Sequence, residues 1–469
     1  MSLEQFFHLK ENNTKISTEI LAGITSFCAT AYVIMVIPDI LQDTGIPSSA
    51  VYLAIIITCF LSSLIVGLIA NVPFVMSAGL GLSSFFAYTV VDTLGFTWQE
   101  SLAIVFLSGI LGMIVTLTKI RIWLVEAIPA SLRAAIGCGL GLFIIYVGLL
   151  KGKIIAFNSD IAYSIPHGSP PAFNFKEMAV NPEIWLFVIT ILLLIFLTQK
   201  RVKGAILISI AAATLLGLFP VFGCTTLDTS LNMGAAFAEL PRVAGAAFTE
   251  GLPGLMSSPF KLLCAGVVVC TFSLITIFDM IGTTIGVGHD MALFNDREIE
   301  RMKNGRRFET RIERVLASSS LTVPIGAIIG APGIVPCVES ACGIESGGRT
   351  GLTSVAAALC FALCIFLIPL AQIVPSAATA PVLVLVGIMM LKTFGSIVWD
   401  RIETAIPCFF MSVFMALAYS ITDGIAMGIL CSTLITIVTG KKKEISPLMW
   451  VVSGMFAVYF LVMIIIRIQ

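Results

Sequence analysis

Pro332-Gly333-Ile334-Val335-Pro336-Cys337-Val338-Glu339-Ser340-Ala341-Cys342-Gly343 is an apolar stretch broken by two prolines, two glycines and one carboxylate. It is too short and too interrupted for a regular spanning helix, which needs about 20 mostly apolar residues. Long apolar runs flank it, near 312–331 and 351–373. Backbone that leaves helical geometry at membrane depth must be buried in protein or line a cavity. A second stretch has the same character: Pro73-Phe74-Val75-Met76-Ser77-Ala78-Gly79-Leu80-Gly81-Leu82-Ser83-Ser84-Phe85-Phe86. Each is the third apolar segment of its half of the chain. Paired interrupted segments at matching positions are a sequence pointer to a transporter's binding site. Half-helix ends there expose unpaired amides that suit a polar ligand. Close helix packing explains the glycines of either segment alone; two segments in matching places favour a site.

Composition fixes the solvent. Of the 469 residues, 58% are hydrophobic and 12% charged, against about 25% charged in soluble chains. The mean hydropathy is +1.04. Such a chain is solvated by lipid over most of its length. The 27 basic and 27 acidic residues balance, so charge gives no support for a nucleic-acid partner. The twelve cysteines form no CxxC pair and read as small buried hydrophobes, not as a metal site or a disulfide framework. The three histidines, His8, His167 and His289, form no HExxH motif, so no metal or cofactor is expected. Residues 1–15 are polar and charged and lack the apolar core of a cleaved leader. The run that follows reads as a permanent first span.

Further apolar runs lie near 20–41, 51–70, 101–120, 130–150, 183–199, 203–222, 261–288, 376–397, 404–421, 423–440 and 447–466. With the two flanking runs and the two broken stretches they make fifteen pieces. Lys10 and Lys15, Lys119, Arg121 and Arg133, Lys200, Arg201 and Lys203, the basic loop 289–311 and Lys441 to Lys443 all fall on one side. The excess of basic residues in cytoplasmic loops places that side, and the N-terminus, in the cytoplasm. Lys151 and Lys153 are exceptions on an outer loop. Segments 151–182 and 223–260 read as external, the second with an interfacial helix at 240–256. The chain divides into a first repeat at 1–225, an external connection at 226–260 and a second repeat at 261–469. Each repeat opens with Ala-Gly near the start of its first span, Ala22-Gly23 and Ala265-Gly266. An odd number of segments per repeat inverts the second relative to the first.

Two acids sit inside apolar segments instead of at loop edges: Asp279, in Thr276-Ile277-Phe278-Asp279-Met280-Ile281-Gly282-Thr283, and Glu339. An acid at the bilayer centre costs about 2.5–3.5 kcal/mol on insertion scales. Thr276 and Thr283 share the helical face of Asp279, and Ser340 adjoins Glu339. The bland reading is a satisfied interhelical hydrogen bond. The functional reading is a pair of carboxylates that accept hydrogen bonds from a ligand's N–H groups, with one also exchanging a proton. Phe85 and Phe86 offer an apolar face for a ring. A flat heterocyclic base fits such a pair better than a sugar or an anion.

These residues resemble the nucleobase–cation symporters of the nucleobase–ascorbate transporter family, in the adenine–guanine–hypoxanthine permease branch. The motifs that carry the resemblance run from Thr18-Glu19-Ile20-Leu21-Ala22-Gly23-Ile24-Thr25 to the 445–449 region. Between these lie Gly79-Leu80-Gly81-Leu82-Ser83-Ser84-Phe85-Phe86-Ala87-Tyr88, Phe278-Asp279-Met280-Ile281-Gly282-Thr283, Glu339-Ser340-Ala341-Cys342-Gly343 and Gly347-Gly348-Arg349-Thr350-Gly351-Leu352. The resemblance implies an all-α polytopic membrane protein of about fourteen transmembrane segments, arranged as two inverted repeats of seven. It implies core and gate domains, with short strands in the broken third and tenth segments. It also implies a proton-coupled permease of the xanthine/uracil type in the cytoplasmic membrane, importing a purine-like nucleobase by alternating access. Asp279 and Glu339 would bind the base, with Ser340, Ser83, Ser84, Thr276, Phe85 and Gly81 around it. Asp279 and Glu339 are the proton-coupling candidates; sodium coupling and a homodimer stay open. Where the branch has an asparagine, a second acid and Thr-Ser-Tyr, this chain has Ser83, Thr276 and Val335-Pro336-Cys337. Those differences leave the base unassigned.

The alternative within transport is a carrier of another small heterocycle or of an anion such as bicarbonate on the same fold. A membrane-embedded enzyme would need a nucleophile and a base, and Ser340 beside Glu339 is the sole candidate pair. A receptor or scaffold has no positive feature in its favour.

Overall fold

The computed structural model describes residues 3–118, 128–157, 171–173, 181–200, 202, 204–223, 225, 233–291, 293–294, 298, 310–368 and 373–468. Lys119, Arg121, Arg201, Lys203 and most of the 289–311 loop, on which the sidedness expectation leans, lie outside the described residues. So do His167 and most of the external segment 151–182.

Nine helices among the described residues are long and apolar enough to cross a membrane. In chain order, segment 1 is Ile16–Thr44, segment 2 Ser48–Ala70, segment 4 Trp98–Leu117, segment 5 Ala130–Lys151 and segment 6 Pro182–Gln199. Segment 7 is the shorter Ala205–Gly217. Segment 8 is Pro259–Asp290 and segment 9 Arg311–Ile329. Segment 11 is Gly351–Leu367, segment 12 Ser376–Ser396, segment 13 Ile402–Leu417 and segment 14 Ile421–Val438. Segments 3 and 10 are the broken ones. Segment 3 opens with strand β1 (Met76–Ala78), followed by the short helix Leu80–Ser84 and the π-helix Phe85–Thr93. Between segments 5 and 6, β2 (Ile155–Phe157) pairs with β3 (Pro171–Phe173), a small sheet that the sequence did not suggest. Segment 10 is β4 (Ile334–Pro336) and the helix Ser340–Glu345. A fifteenth piece, Pro447–Ile468, packs on segments 14 and 8, outside the two sets of seven.

The packing repeats itself. Segment 2 lies against segment 11, and segment 9 against segment 4. Segment 1 touches segment 11 as segment 8 touches segment 4, and segment 6 touches segment 12 as segment 13 touches segment 5. Adding or subtracting seven turns each contact into its counterpart. Segments 1–4 and 8–11 therefore form one bundle, the core. Segments 5–7 and 12–14 form the gate around the long contact of segment 5 with segment 12. Large apolar side chains such as Leu192, Phe196, Leu359 and Phe366 face outward, as lipid requires.

The axis of this exchange passes through the strands. β1 and β4 run antiparallel, with Met76 opposite Pro336, Ser77 opposite Val335 and Ala78 opposite Ile334. The Gly79 N–H donates to the Gly333 carbonyl at 3.0 Å and the Cys337 N–H to the Val75 carbonyl at 2.9 Å, extending the pair at both ends. Two half-spans thus satisfy each other's backbone in the middle of the core.

Polar clusters mark the two faces. On one face, Glu19 at the start of segment 1 is fully buried. It accepts from the Arg349 and Thr350 amides at 2.9 and 3.2 Å and from the Thr353 hydroxyl at 2.6 Å, capping segment 11. On the opposite face, Lys151 of segment 5 reaches Asp39 and Asp43 at the far end of segment 1. Ser376 and Thr379 of segment 12 also donate to Asp39, at 2.9 and 3.1 Å. Lys261 pairs there with the nearly buried Glu100.

Segments 2 and 11 cross at Gly67 and Gly351, where a Cβ on Gly351 would strike the Gly67 carbonyl. Overpacking of this kind costs about 1–3 kcal/mol. Gly351→Ala is therefore expected to lower the melting temperature of the detergent-purified protein; an unchanged melt would mean that the crossing yields without strain.

Candidate functional site

The broken segments stay in place because neighbouring hydroxyls take up backbone groups that a strand pair alone leaves open. Ser63 of segment 2 accepts from the Met76 N–H at 2.9 Å and donates to the Met76 carbonyl at 3.2 Å. Ser354 of segment 11 donates to the Val72 and Phe74 carbonyls at 2.8 and 2.7 Å. Ser340 accepts from the Val75 N–H at 3.0 Å, tying the start of segment 10's helix to the chain entering β1. Ser340, expected beside a ligand, is thus engaged in holding the backbone.

Against this scaffold stand the two carboxylates. Asp279 is carried by segment 8, which packs on β4. Its Oδ1 accepts from the Thr283 hydroxyl at 3.4 Å. Its Oδ2 lies alongside Gly79, 3.7 Å from where a Cβ on that residue would sit. Glu339 lies three residues beyond the end of β4, directly before the helix Ser340–Glu345. Its Oε1 accepts from the Tyr32 hydroxyl of segment 1 at 2.6 Å. The two acids are near enough to interact electrostatically, and both also act on the Cys337 thiol. Asp279, Glu339, Gly79 and Gly81 all retain partial exposure, while β1 and β4 are buried. Among the described residues neither acid has an ion-pair partner. The arrangement offers carboxylate oxygens and a glycine-thinned backbone at one spot, which suits N–H donors on a flat molecule.

The other expected residues are placed as follows. Thr276 is buried and donates to the Phe272 carbonyl of its own helix at 2.8 Å, not to Asp279. Ser83 and Ser84 are fully buried, and their hydroxyls have no hydrogen-bond partner among the described residues. Gly81 faces Leu140 of segment 5, at the boundary between core and gate. Phe85 and Phe86 are fully buried, and the Phe85 ring packs on Phe272 at 5.3 Å. Phe85 therefore belongs to the wall behind the site and presents no open ring face.

Tyr32, Ser63 and Ser354 were missed as participants. Cys337 sits 2.8 Å from the Ser77 hydroxyl, across the strand pair. Hydroxyls within long apolar runs, as at Ser62-Ser63 and Thr353-Ser354, were the available signal. Nothing local pointed to Tyr32.

A family model described as a permease family, Xan_ur_permease, matches residues 17–427. The adenine permease AdeP of Escherichia coli K12 is 32% identical over 455 residues, covering 97% of this chain and 95% of that protein. The guanine/hypoxanthine permease PbuO of Bacillus subtilis 168 is 33% identical over 467 residues, covering 97% and 100%. Among solved structures, the transmembrane domain of the cyanobacterial bicarbonate transporter BicA aligns with a TM-score of 0.56 at 15% identity, over 90% of this chain and 96% of that one. The murine anion transporter Slc26a9 in its inward-facing state aligns with a TM-score of 0.58 at 12% identity, over 91% and 69%. At these identities the structural likeness concerns the fold alone.

Proposed function

Since the chain belongs to this permease family, we propose that it imports a purine-like nucleobase across the cytoplasmic membrane by proton symport. It is a multi-pass transporter and not an enzyme. In the proposed cycle the core, with the base bound, moves against the gate and exposes the site to each side in turn. Residues 1–225 and 261–469 act as the inverted repeats, joined by the external connection 226–260, with the N-terminus in the cytoplasm. Asp279 and Glu339 receive N–H groups of the base, and one of them carries the coupled proton.

One observation supports this reading above others: two carboxylates without cationic partners among the described residues stand beside the paired breaks of segments 3 and 10. Burial without a cation favours a carboxylate that trades its charge for a proton or for ligand N–H groups. The relatives' names, adenine permease and guanine/hypoxanthine permease, support a purine ring as cargo.

The test is uptake of radiolabelled adenine, guanine and hypoxanthine into cells lacking their own purine permeases. Accumulation is expected to collapse when an uncoupler abolishes the proton gradient and to persist when sodium is replaced. Sodium dependence with indifference to the uncoupler would reassign the coupling ion. Failure to move any nucleobase would remove the substrate class.

A further inference from the structure

We infer that Tyr32 is a positioning residue that presents the Glu339 carboxylate to the ligand. This rests on the reading of Glu339 as a ligand-binding group. Within segment 1, Ala31 and Tyr32 lie between Ile16–Thr30 and Val33–Leu41, where the hydrogen-bonding pattern shifts while both residues keep right-handed helical angles. There Tyr32 meets Glu339, 307 residues away in the chain, with a 2.6 Å bond from the phenol to Oε1. That length is typical of a hydroxyl donating to a charged carboxylate. The Tyr32 side chain is almost wholly enclosed, at 3% exposure, whereas Glu339 keeps part of its surface open.

The consequence follows from counting donors and acceptors. A phenol has one hydrogen to give, and a carboxylate has two oxygens to receive. Tyr32 fills one acceptor site on Oε1, and a carboxylate has about four such sites, so the others stay available to its own backbone amide and to ligand N–H groups. The bond also fixes the rotors of a glutamate side chain before the ligand arrives, so binding does not bear that ordering cost. Among the described residues, the ionisable groups that act on or are acted on by Glu339 are Tyr32, Cys337 and Asp279. Of these, Tyr32 alone has a hydrogen bond to its carboxylate. Cys337 is turned to Ser77, and Asp279 to Thr283.

Tyr32→Phe keeps the ring and removes only the donor. In the full-length transporter its KM for a radiolabelled purine base is expected to rise about tenfold, as for loss of one hydrogen bond to a charged group. Vmax per membrane copy is expected to hold. The KM gap between the base and its N-methylated analogue is expected to narrow, because a loosely held carboxylate discriminates less between N–H and N–CH3. KM does not depend on copy number, so reduced expression does not mask the result; equilibrium dialysis of the purified variant gives the same ratio as a Kd. An unchanged KM, or a fall in Vmax alone, would overturn the positioning role and leave Tyr32 as packing. Glu339→Gln measured alongside separates the two ideas. Normal uptake by Glu339→Gln defeats the site reading itself. Lost uptake there with an unchanged KM in Tyr32→Phe defeats only the inference about Tyr32.

Discussion

Glu339→Gln is expected to reduce nucleobase uptake to background while the protein still reaches the membrane in normal amount. The substitution preserves shape, and the amide oxygen can still accept from the Tyr32 phenol, so the strand pair and its serine braces have no reason to move. What is lost is charge and the capacity to carry a proton. Hydrogen bonds to charged groups contribute about 1.5–3 kcal/mol each, and about 1.4 kcal/mol is a factor of ten. Losing one such bond together with proton exchange takes uptake down by about a hundredfold or more. The measurement is initial-rate uptake of a radiolabelled purine, with the transporter quantified in the membrane fraction. Wild-type uptake would exclude Glu339 from the site, however well the geometry suits it.

The second large effect is expected on stability, at the opposite end of segment 1. Lys151 joins the gate to the core through Asp39 and Asp43, at 3.2 and 3.0 Å, with side-chain exposures of 14% for Lys151 and 10% for Asp39. Removing one partner of a buried pair costs about 3–5 kcal/mol, because the other charge is left stranded. Asp39 keeps donors from Gln42, Ser376 and Thr379, which offset part of that. Lys151→Met is therefore expected to destabilise the folded protein by about 2–3 kcal/mol, read as a lowered melting temperature in detergent. Adding Asp39→Asn is expected to restore most of the loss, since the buried charge is then removed and Asp43, with its side chain 43% exposed, stays hydrated. A melt equal to wild type for Lys151→Met would show that the acids are well hydrated and that the cluster does not hold the bundles together.

The breaks in segments 3 and 10 were legible because proline, glycine and carboxylate are conspicuous in an apolar context, and their matching positions suggested a duplication; the repeats of seven came from the family resemblance. Asp279 and Glu339 were legible for the same reason. Partners distant in sequence were not. Tyr32 is an ordinary residue of an apolar run until the fold brings it to Glu339. Lys151 stood out only as a basic residue on an outer loop, because the acids that hold it belong to another segment. Ser340 pointed to a ligand since it adjoins an acid; the Val75 amide it accepts from exists as an unpaired donor only once β1 and β4 have formed. Phe85 was read from its aromatic character alone, which carries no direction; the fold turns its ring onto Phe272.

The strand pair has a further consequence for transport. Tyr32, Asp279, Glu339 and both half-helices belong to the core; β1 and β4 are bound to each other, Ser63 holds Met76 of β1, and Ser340 and Ser354 hold the residues leading into it. In the proposed cycle a ligand held there keeps the same companions from entry to exit, and only the water it faces changes. Affinity is then the property of one rigid cup, alike whether it is filled from outside or from inside. Such a carrier has no intrinsic preference of direction. Which way the cargo flows is decided by the concentrations of base and co-ion on the two sides of the membrane.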